Sequence, residues 1–333
     1  MRFHVDLIIP GLFNLPLQEI PVEFLTHQLP GLNHLLRFSA QLINQLYEFE
    51  SIIADCAGFG DLQYLPFAQV YTGDNSSAKN NCMLCRCVHL KADMNSAYLI
   101  PIENNSIDLD DSSLIINDLK EFFKDDCELT ELSDGLWLMQ LKLCKPPQHF
   151  PHYLSAIGKK VNQYIEQSQQ DLPWYKLNNE MQMFLHQHPI NQNRLQTGLL
   201  PINSLWCWGA GAIPAELKSK VSWYCNDQLL KDFGEASDVS VKSLNKLGGE
   251  GVNDNSLVIH LGLLEALKSS ESIKLIPVMK DLDEVLIKLI ESNRSSNFTL
   301  RLRTGSQFDY QLSPYASFRR WRKPKTLFDF VAS

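Results

Sequence analysis

Long apolar runs are missing from this chain: none approaches the roughly 20 residues that a bilayer-spanning helix needs, so no membrane segment is expected. Positive charge is scarce as well. The 333 residues carry 30 Lys and Arg against 38 Asp and Glu, a net charge of -8, which argues against a general nucleic-acid binder. A small anion stays compatible with that balance, because the field inside a pocket can oppose the net sign. Cysteine is dilute, with eight in the whole chain, so a disulfide scaffold is excluded and reduced thiols in a cytoplasmic protein are expected. No internal repeat is evident. The start, Met1 to Pro10, lacks the pattern of a signal peptide: His4, Asp6 and Pro10 break its apolar run, and no small-residue cleavage site follows. What is present is a globular composition, 44% hydrophobic and 20% charged, at a length that suits two domains and a sizeable core.

Periodicity points to an α/β order. Val5 to Ile9 is a short apolar strand closed by Pro10-Gly11. Leu32 to Phe49 places Leu35, Leu36, Phe38, Leu42, Ile43, Leu46 and Tyr47 at near-helical spacing, which predicts a helix. Thr72 to Ser77 is loop chemistry. From Cys85 the character changes: strands over 85–90 and 97–102, an amphipathic helix over 114–123, and strands over 128–132 and 136–143. That order predicts a compact α+β unit ending at Lys145-Pro146-Pro147. Helices follow over 161–169 and 177–187, the second stopped by Pro189. Strands over 202–208, 223–225, 256–260 and 297–303 and an amphipathic helix over 282–290 complete the pattern. Strands alternating with helices at both ends of the chain predict an α/β core formed by 1–75 and 176–333, with 76–175 as an α+β insert domain and linker.

The densest functional chemistry lies between Asn178 and Pro214. On a helix Gln182 and His186 share a face, while Asn191, Arg194 and Asn203 follow at the helix stop and in the next strand. One reading makes a pocket of them. Arg194 clamps an anion, His186 or His188 serves as general acid or base, and Gly209 and Gly211 let backbone come close. The other reading has buried Asn, His and Trp groups satisfying one another to fix a domain junction. Residue types alone lean to the second, and both stay open at this point. A separate cluster, Cys82, Cys85, Cys87 and His89, begins with a Cys-x-x-Cys spacing that suits zinc. Its strand-like alternation turns Cys85, Cys87 and His89 to one face, and no second Cys/His pair of proper spacing occurs, so structural thiols are favoured over a metal site.

The pattern Asn179-Glu180-x-Gln182-Met183-x-Leu185-His186-x-His188-Pro189-x-Asn191-x-x-Arg194, followed by Pro201-Ile202-Asn203-Ser204-Leu205-Trp206-x-Trp208-Gly209-x-Gly211, resembles the RpfE-type family of bacterial regulatory proteins. Val88-His89-Leu90-x-Ala92-Asp93 and the closing Trp321-Arg322 resemble it too. Asn203 to Gly211 is also similar to the Asn-x-x-Trp-x-Trp-Gly-x-Gly stretch of archaeal-type, cofactor-independent phosphoglycerate mutases. Leu7 to Leu12 stands where those enzymes begin with a strand and an Asp-Gly pair, and Leu29 to Leu36 is like their helix after a Thr-Pro. The resemblance implies an alkaline-phosphatase-like α/β core sheet with helices on both faces, interrupted by a smaller α+β insert domain. It further implies two metal ions held by Asp and His, and a Ser that is transiently phosphorylated. This chain departs at each of those points. Pro10 occupies the first ligand position, no Ser sits in the stretch directly after Tyr64-Leu65-Pro66-Phe67-Ala68 where the nucleophile is implied, and only His260 and Glu265 stand in the stretch after Leu257-Val258-Ile259.

The departures lead to a catalytically degenerate relative of cofactor-independent phosphoglycerate mutase, a cytoplasmic ligand-binding or regulatory protein with no cofactor. Its candidate binding residues are His186, His188, Asn191, Arg194, Asn203, Ser204, Trp206, Trp208, Gly209 and Gly211. A small anionic, phosphorylated molecule is the expected ligand, with neither nucleic acid nor membrane as partner. The alternative is an active phosphoglycerate mutase or phosphatase-like enzyme with altered catalytic residues, or a metal-free hydrolase using His186 or His188; only the rebuilt mutase calls for Mn or Zn. A third reading has the basic run Arg319-Arg320-Trp321-Arg322-Lys323-Pro324-Lys325 dock on an anionic partner, against a solvated tail with Trp321 packed on the core.

Overall fold

The computed structural model describes residues 3–45, 48–60, 62–73, 80–102, 109–133, 135–164, 169–213, 221–247, 254–269, 274–296, 298–316 and 321–332. The chain divides into two compact units, one of residues 1–62 and 216–333, the other of residues 63–215.

The first unit is an α/β layer structure. Its strands are β1 (His4–Ile8), β2 (Ala40–Ile43), β8 (Ser222–Cys225), β9 (Val241–Lys242), β10 (Ser256–Ile259), β11 (Thr299–Arg303) and β12 (Phe308–Leu312). They form one sheet in the order β2-β12-β11-β1-β10-β8-β9. It is parallel from β11 to β9, with β12 and β2 antiparallel at one edge. Its helices are α1 (Val22–His27), α2 (Pro30–Phe38), α3 (Phe49–Ala57), α8 (Gln228–Ala236), α9 (Gly262–Lys268), α10 (Leu275–Ser296) and α11 (Leu327–Val331). Parallel strands buried on both faces read as unbroken apolar runs, and Leu7-Ile8 and Leu257-Val258-Ile259 are buried throughout. Val5, Leu7, Val258, Leu300 and Leu302 face a cluster with Leu32 and Leu35 of α2 and Leu282 and Leu286 of α10. On the opposite face α3 lies against β1 and β10. There Trp223 of β8 packs on Phe59 and Phe233 at ring-centroid distances of 5.8 and 6.4 Å.

The start of α2 is capped by another helix. Leu29 supplies no side-chain cap. Asp283 of α10, 3% exposed, accepts from Leu32 N at 2.7 Å and from Gly31 N at 3.1 Å. A carboxylate from α10 thus satisfies donors that every helix start leaves open. Burial pushes the Asp283 pKa upward, against the two backbone bonds that lower it. Gly31 permits the approach: a Cβ there would lie 2.9 Å from the Asp283 carbonyl oxygen.

The helix predicted over 32–49 stops at Phe38. Ser39 turns to extended backbone and its Oγ donates to Leu35 O at 2.7 Å. Ala40–Ile43 then pairs with β12 as an edge strand, so an open sheet edge overrides helical spacing. Leu46 and Tyr47 lie outside the described residues, and α3 begins at Phe49.

The second unit is α+β. It holds β3 (Cys82–Asp93), β4 (Ser96–Pro101), β5 (Cys127–Ser133), β6 (Leu136–Leu141) and β7 (Ser204–Trp208), with α4 (Leu109–Phe122), α5 (Tyr153–Ala156), α6 (Leu172–Gln187) and α7 (Pro189–Gln196). The long strand β3 is its spine, antiparallel to β6 at Cys82–Cys85, to β7 at Leu84–Val88 and to β4 at Val88–Asp93. The strand, strand, helix, strand, strand order is as predicted, but the predicted boundary is not. Residues 176–213 belong to this unit and not to the core. The physical reason is the β3–β7 ladder, together with Trp174, Leu177, Met181 and Leu185 of α6, which share one apolar cluster with Met139 and Cys207. Nor does Lys145-Pro146-Pro147 end the unit, which runs on through α5 to β7.

Two smaller expectations also shift, and others fall outside the described residues. The helix over 161–169 is a short 3-10 turn at Val161–Tyr164, with 165–168 outside the described residues. Of the loop at Thr72–Ser77, residues 74–77 lie outside the described residues, as do Arg319 and Arg320. Trp321 is 79% exposed, so it is not packed on the core. No helix among the described residues is long and apolar enough to cross a membrane.

Asp283→Ala leaves two buried backbone donors of α2 without an acceptor and should lower the unfolding free energy by about 1–3 kcal/mol. Urea denaturation measures it, and a loss within about 0.5 kcal/mol, the range of idle surface positions, would show that α2 is held by other groups.

Candidate functional site

From α6 to β7 the chain is held by side-chain to backbone bonds. His188 takes extended backbone between α6 and α7, and Pro189 opens α7. The His188 Nδ1 accepts from Ile190 N at 3.4 Å and its Nε2 lies 3.0 Å from Asp118 Oδ2. Asn191, 5% exposed, donates to Leu185 O at 2.6 Å and Ile202 O at 2.8 Å and accepts from Ile202 N at 2.7 Å. Arg194, 2% exposed, donates from Nε to Leu200 O at 2.8 Å, and its Nη1 lies 3.6 Å from Asp111 Oδ2. Burial lowers the Arg194 pKa while Asp111 opposes it. Asn203 accepts from Leu90 N at 2.7 Å and donates to Leu90 O at 3.0 Å, extending the ladder beyond β7.

These bonds match neither reading as first drawn. Asn191, Arg194 and Asn203 bond to backbone groups and not to one another, and they tie α6, α7 and β7 together inside the second unit, not at a junction of two domains. The expected convergence of His186, His188, Asn191, Arg194 and Asn203 on one pocket does not occur. His186 faces solvent, Arg194 is committed to Leu200 O and Asp111, and Asn203 is bonded to Leu90. A helix stop and a new strand within the segment send its side chains in different directions.

Beyond β7 the glycines serve close packing. Gly209 has φ +71°, and a Cβ there would sit 3.1 Å from the Phe67 Cβ; its carbonyl accepts from Ala68 N at 2.9 Å. The segment 66–68 is thereby laid on Gly209 and Gly211. The resemblance implies a Ser nucleophile in the stretch after Ala68, and Gln69 to Gly73 include none. Trp206 donates to Pro151 O at 3.1 Å, and Trp208 packs on His152 and Tyr153 at 5.5 and 6.0 Å between ring centroids. Burial, aided by Arg86, lowers the His152 pKa to about 3.

The cysteine cluster does not converge either. Cys85 and Cys87 lie in the apolar cluster with Met83 and Trp137, and burial raises both thiol pKa values. Cys82 falls on the alternate pleat, and the His89 Nδ1 is 2.9 Å from Pro201 O. Among the described residues no three His, Cys, Asp or Glu side chains gather in a metal-holding group.

In the first unit the carboxyl ends of the parallel strands form the edge at which open α/β sheets bind ligands. Ile9 N donates to Arg303 O at 2.9 Å, His260 N to Ile8 O at 3.0 Å and Gly11 N to Thr304 O at 3.3 Å. Pro10 follows β1 and offers no side-chain donor atom. His260 follows β10; burial lowers its pKa, and its Nδ1 has no hydrogen-bond partner among the described residues. One imidazole with Glu265 beyond it does not fit a pair of divalent ions.

A charged cluster of the same sheet escaped the sequence reading. Arg303, 5% exposed, places Nη1 2.5 Å from Asp55 Oδ2 and 3.1 Å from Cys56 Sγ, and Nε 3.2 Å from Asp309 Oδ2 without hydrogen-bond alignment. Burial works to lower the Arg303 pKa, and Cys56, Asp55 and Asp309 more than reverse it. Burial, with Asp6, pushes the Cys56 thiol up to about 12, so Cys56 is no thiolate nucleophile. The available signal was alternation: Thr299, Arg301 and Arg303 alternate with Leu300 and Leu302, which puts polar and charged groups on one face.

Three sequence-predicted residues line cavities: His188 borders an open one of about 970 Å³ with Asp118, Phe122 and Phe184, apart from the other two. Ser204 and Trp206 border a space of about 330 Å³ in the second unit, closed by Phe150, Trp174 and the α6 amides Asn178, Asn179 and Gln182.

No family model matches the chain. The 2,3-bisphosphoglycerate-independent phosphoglycerate mutase of Methanosarcina barkeri is 23% identical over 176 residues, which are 51% of this chain and 40% of that protein. Its counterpart from Methanosarcina mazei is 30% identical over 71 residues, 21% of this chain and 16% of that protein. The chain is distantly similar to the cofactor-independent phosphoglycerate mutases. The matched region is less than half the length of these curated relatives. Among solved structures, the PH0037 protein of Pyrococcus horikoshii is 14% identical with a TM-score of 0.49, over 94% of this chain and 87% of that one. The cofactor-independent phosphoglycerate mutase of Thermoplasma acidophilum is 12% identical with a TM-score of 0.42, over 94% and 89%.

Asn203→Ala strips both backbone groups of Leu90 of their partner and should cost about 1–3 kcal/mol in denaturant unfolding; a change under about 0.5 kcal/mol would mark the amide as idle. His152 is neutral when folded and protonates below its ordinary pKa of 6.5 when unfolded. The unfolded state therefore binds the extra proton, and stability falls as pH drops from 6.5 towards about 3. His152→Phe should flatten the dependence of Tm on pH across that window; an unchanged slope would show that His152 is not the titrating group.

Proposed function

We propose that this chain is a relative of the cofactor-independent phosphoglycerate mutases that does not perform their two-metal phosphoryl transfer and acts as a cytoplasmic ligand-binding or regulatory protein. One observation carries the reading. Pro10 closes β1 where the resemblance implies an acidic metal ligand, and a pyrrolidine ring has no lone pair to offer a cation. No Ser stands from Gln69 to Gly73, in the stretch after Ala68 where a phosphorylated Ser is implied. His260 supplies one imidazole at the end of β10. One exchanged ligand is open to replacement by a neighbour, whereas several exchanged together leave nothing to polarise a phosphoryl oxygen.

The likeness of the central motif to RpfE-type regulatory proteins supports a regulatory role, and eight free cysteines suit a reducing compartment. Arg194 is taken up by Leu200 O and Asp111, so the anion clamp drops out of the binding reading. The cavity beside Ser204 and Trp206 takes its place.

The test is a mutase assay on 3-phosphoglycerate with added Mn or Zn, combined with metal analysis of the purified chain. The expected result is no turnover and no stoichiometric metal. Turnover at ordinary enzyme rates, about 1–1,000 per second, with one or two bound Mn or Zn ions per chain would overturn the proposal in favour of an active mutase.

A further inference from the structure

We infer that the cavity of the second unit binds the base of a purine nucleoside, an uncharged flat ring with a donor and an acceptor side by side on one edge. The inference rests on the ligand-binding reading above and names its ligand class. The space measures about 330 Å³, near the lower end of the range of small-molecule sites, about 300–1,000 Å³. Its inner walls are apolar, built from Phe150, Val161, Trp174, Leu205 and Trp206.

Its rim is polar in a particular way. Asn178 and Gln182 lie one helical turn apart on α6 and Asn179 lies on the adjoining row, so three primary amides border the cavity from one helix. None of the three makes a side-chain hydrogen bond among the described residues. Asn191 and Asn203, by contrast, spend theirs on backbone. A second observation points to a ligand. Trp174, 2% exposed, is on the cavity wall, and its indole N–H has no hydrogen-bond partner among the described residues. A buried donor left open costs free energy that a ligand acceptor would return.

The lining excludes other classes. No charged side chain is among the described residues that border the cavity, so a phosphate or carboxylate would be desolvated without a counter-charge. A sugar alone would leave the aromatic walls of Phe150, Trp174 and Trp206 without a flat apolar face to cover, and a plain hydrocarbon would leave the amides idle. A heteroaromatic base answers both halves of the site. Carboxamides pair bidentately with the donor–acceptor edge of adenine, and the ring faces suit the aromatic walls.

The experiment titrates the intact chain with adenosine, guanosine, AMP and 3-phosphoglycerate, followed by calorimetry and tryptophan fluorescence. Saturable binding of adenosine or guanosine is expected, with AMP no tighter than the nucleoside. Gln182→Ala and Asn178→Ala should each weaken binding at least tenfold, and so should Gln182→Glu, which keeps the size but replaces the donor with negative charge. His186→Ala, at an exposed position on the same helix, should leave binding unchanged, with circular dichroism checking the fold of each variant. No saturable nucleoside binding, binding untouched by the Gln182 and Asn178 variants, or tighter binding of 3-phosphoglycerate would each overturn the inference. Failure of nucleoside binding without mutase turnover removes the ligand class alone. Turnover with nucleoside binding intact removes the non-catalytic reading alone.

Discussion

The carboxamide of Asn191 reaches three backbone groups at once: it donates to the Leu185 and Ile202 carbonyls and accepts from the Ile202 amide. Ile202 is fully buried, so without this side chain two of its backbone groups would lie in apolar surroundings unpaired, and the chain leading into β7 would have no preferred path. Asn203 then bonds both backbone groups of Leu90, and the ladder of Leu84–Val88 with Ser204–Trp208 follows in register. Once β7 is placed, Trp174, Leu177, Met181 and Leu185 of α6 close over the sheet. The remaining amides of α6 are left along the rim of the cavity beside Trp206. The architecture of the second unit thus depends on one buried side chain that can act as donor and acceptor together.

Each unit handles buried polarity in its own manner. The first places charge under cover: Asp283 caps α2 from α10, and Arg303 lies between Asp55 and Asp309 beneath α3. Such pairs are weak sources of net stability but costly to break singly, because the surviving partner stays buried. The second buries one cation, Arg194, beside Asp111, and bonds its buried amide Asn191 to backbone. This difference bears on function. The strand ends of the first unit present Pro10 and the buried imidazole of His260, and the Arg303 guanidinium at the end of β11 is taken up by Asp55 and Asp309. The neutral cavity of the second unit is suited to a neutral guest.

Much of the secondary structure was legible in the chain itself. Runs such as Leu257-Val258-Ile259 are apolar without interruption because both faces of a parallel strand are buried, and Leu129, Met139 and Leu141 alternate because one face of the second sheet is buried. The stretch 40–43 was not legible, since its four residues are exposed and owe their strand to β12. The boundary at residue 176 was drawn from local pattern, and no local pattern reports that β7 will pair with β3 more than 100 residues earlier.

The candidate site divides along the same line. Residue types by themselves determined that Pro10 has no ligand atom, that no Ser stands from Gln69 to Gly73, and that the stretch from Asn178 to Gly211 is unusually rich in groups able to hydrogen-bond. These are properties of side chains and need no partner to hold. Which of those groups are consumed by the fold and which stay available was decided only in three dimensions. A hydrogen bond belongs to a pair: Arg194 and Asn191 found theirs in the nearby backbone of Leu200, Leu185 and Ile202, Asn203 found its in Leu90 only once β7 joined the sheet, and Asn178, Asn179 and Gln182 found none among the described residues.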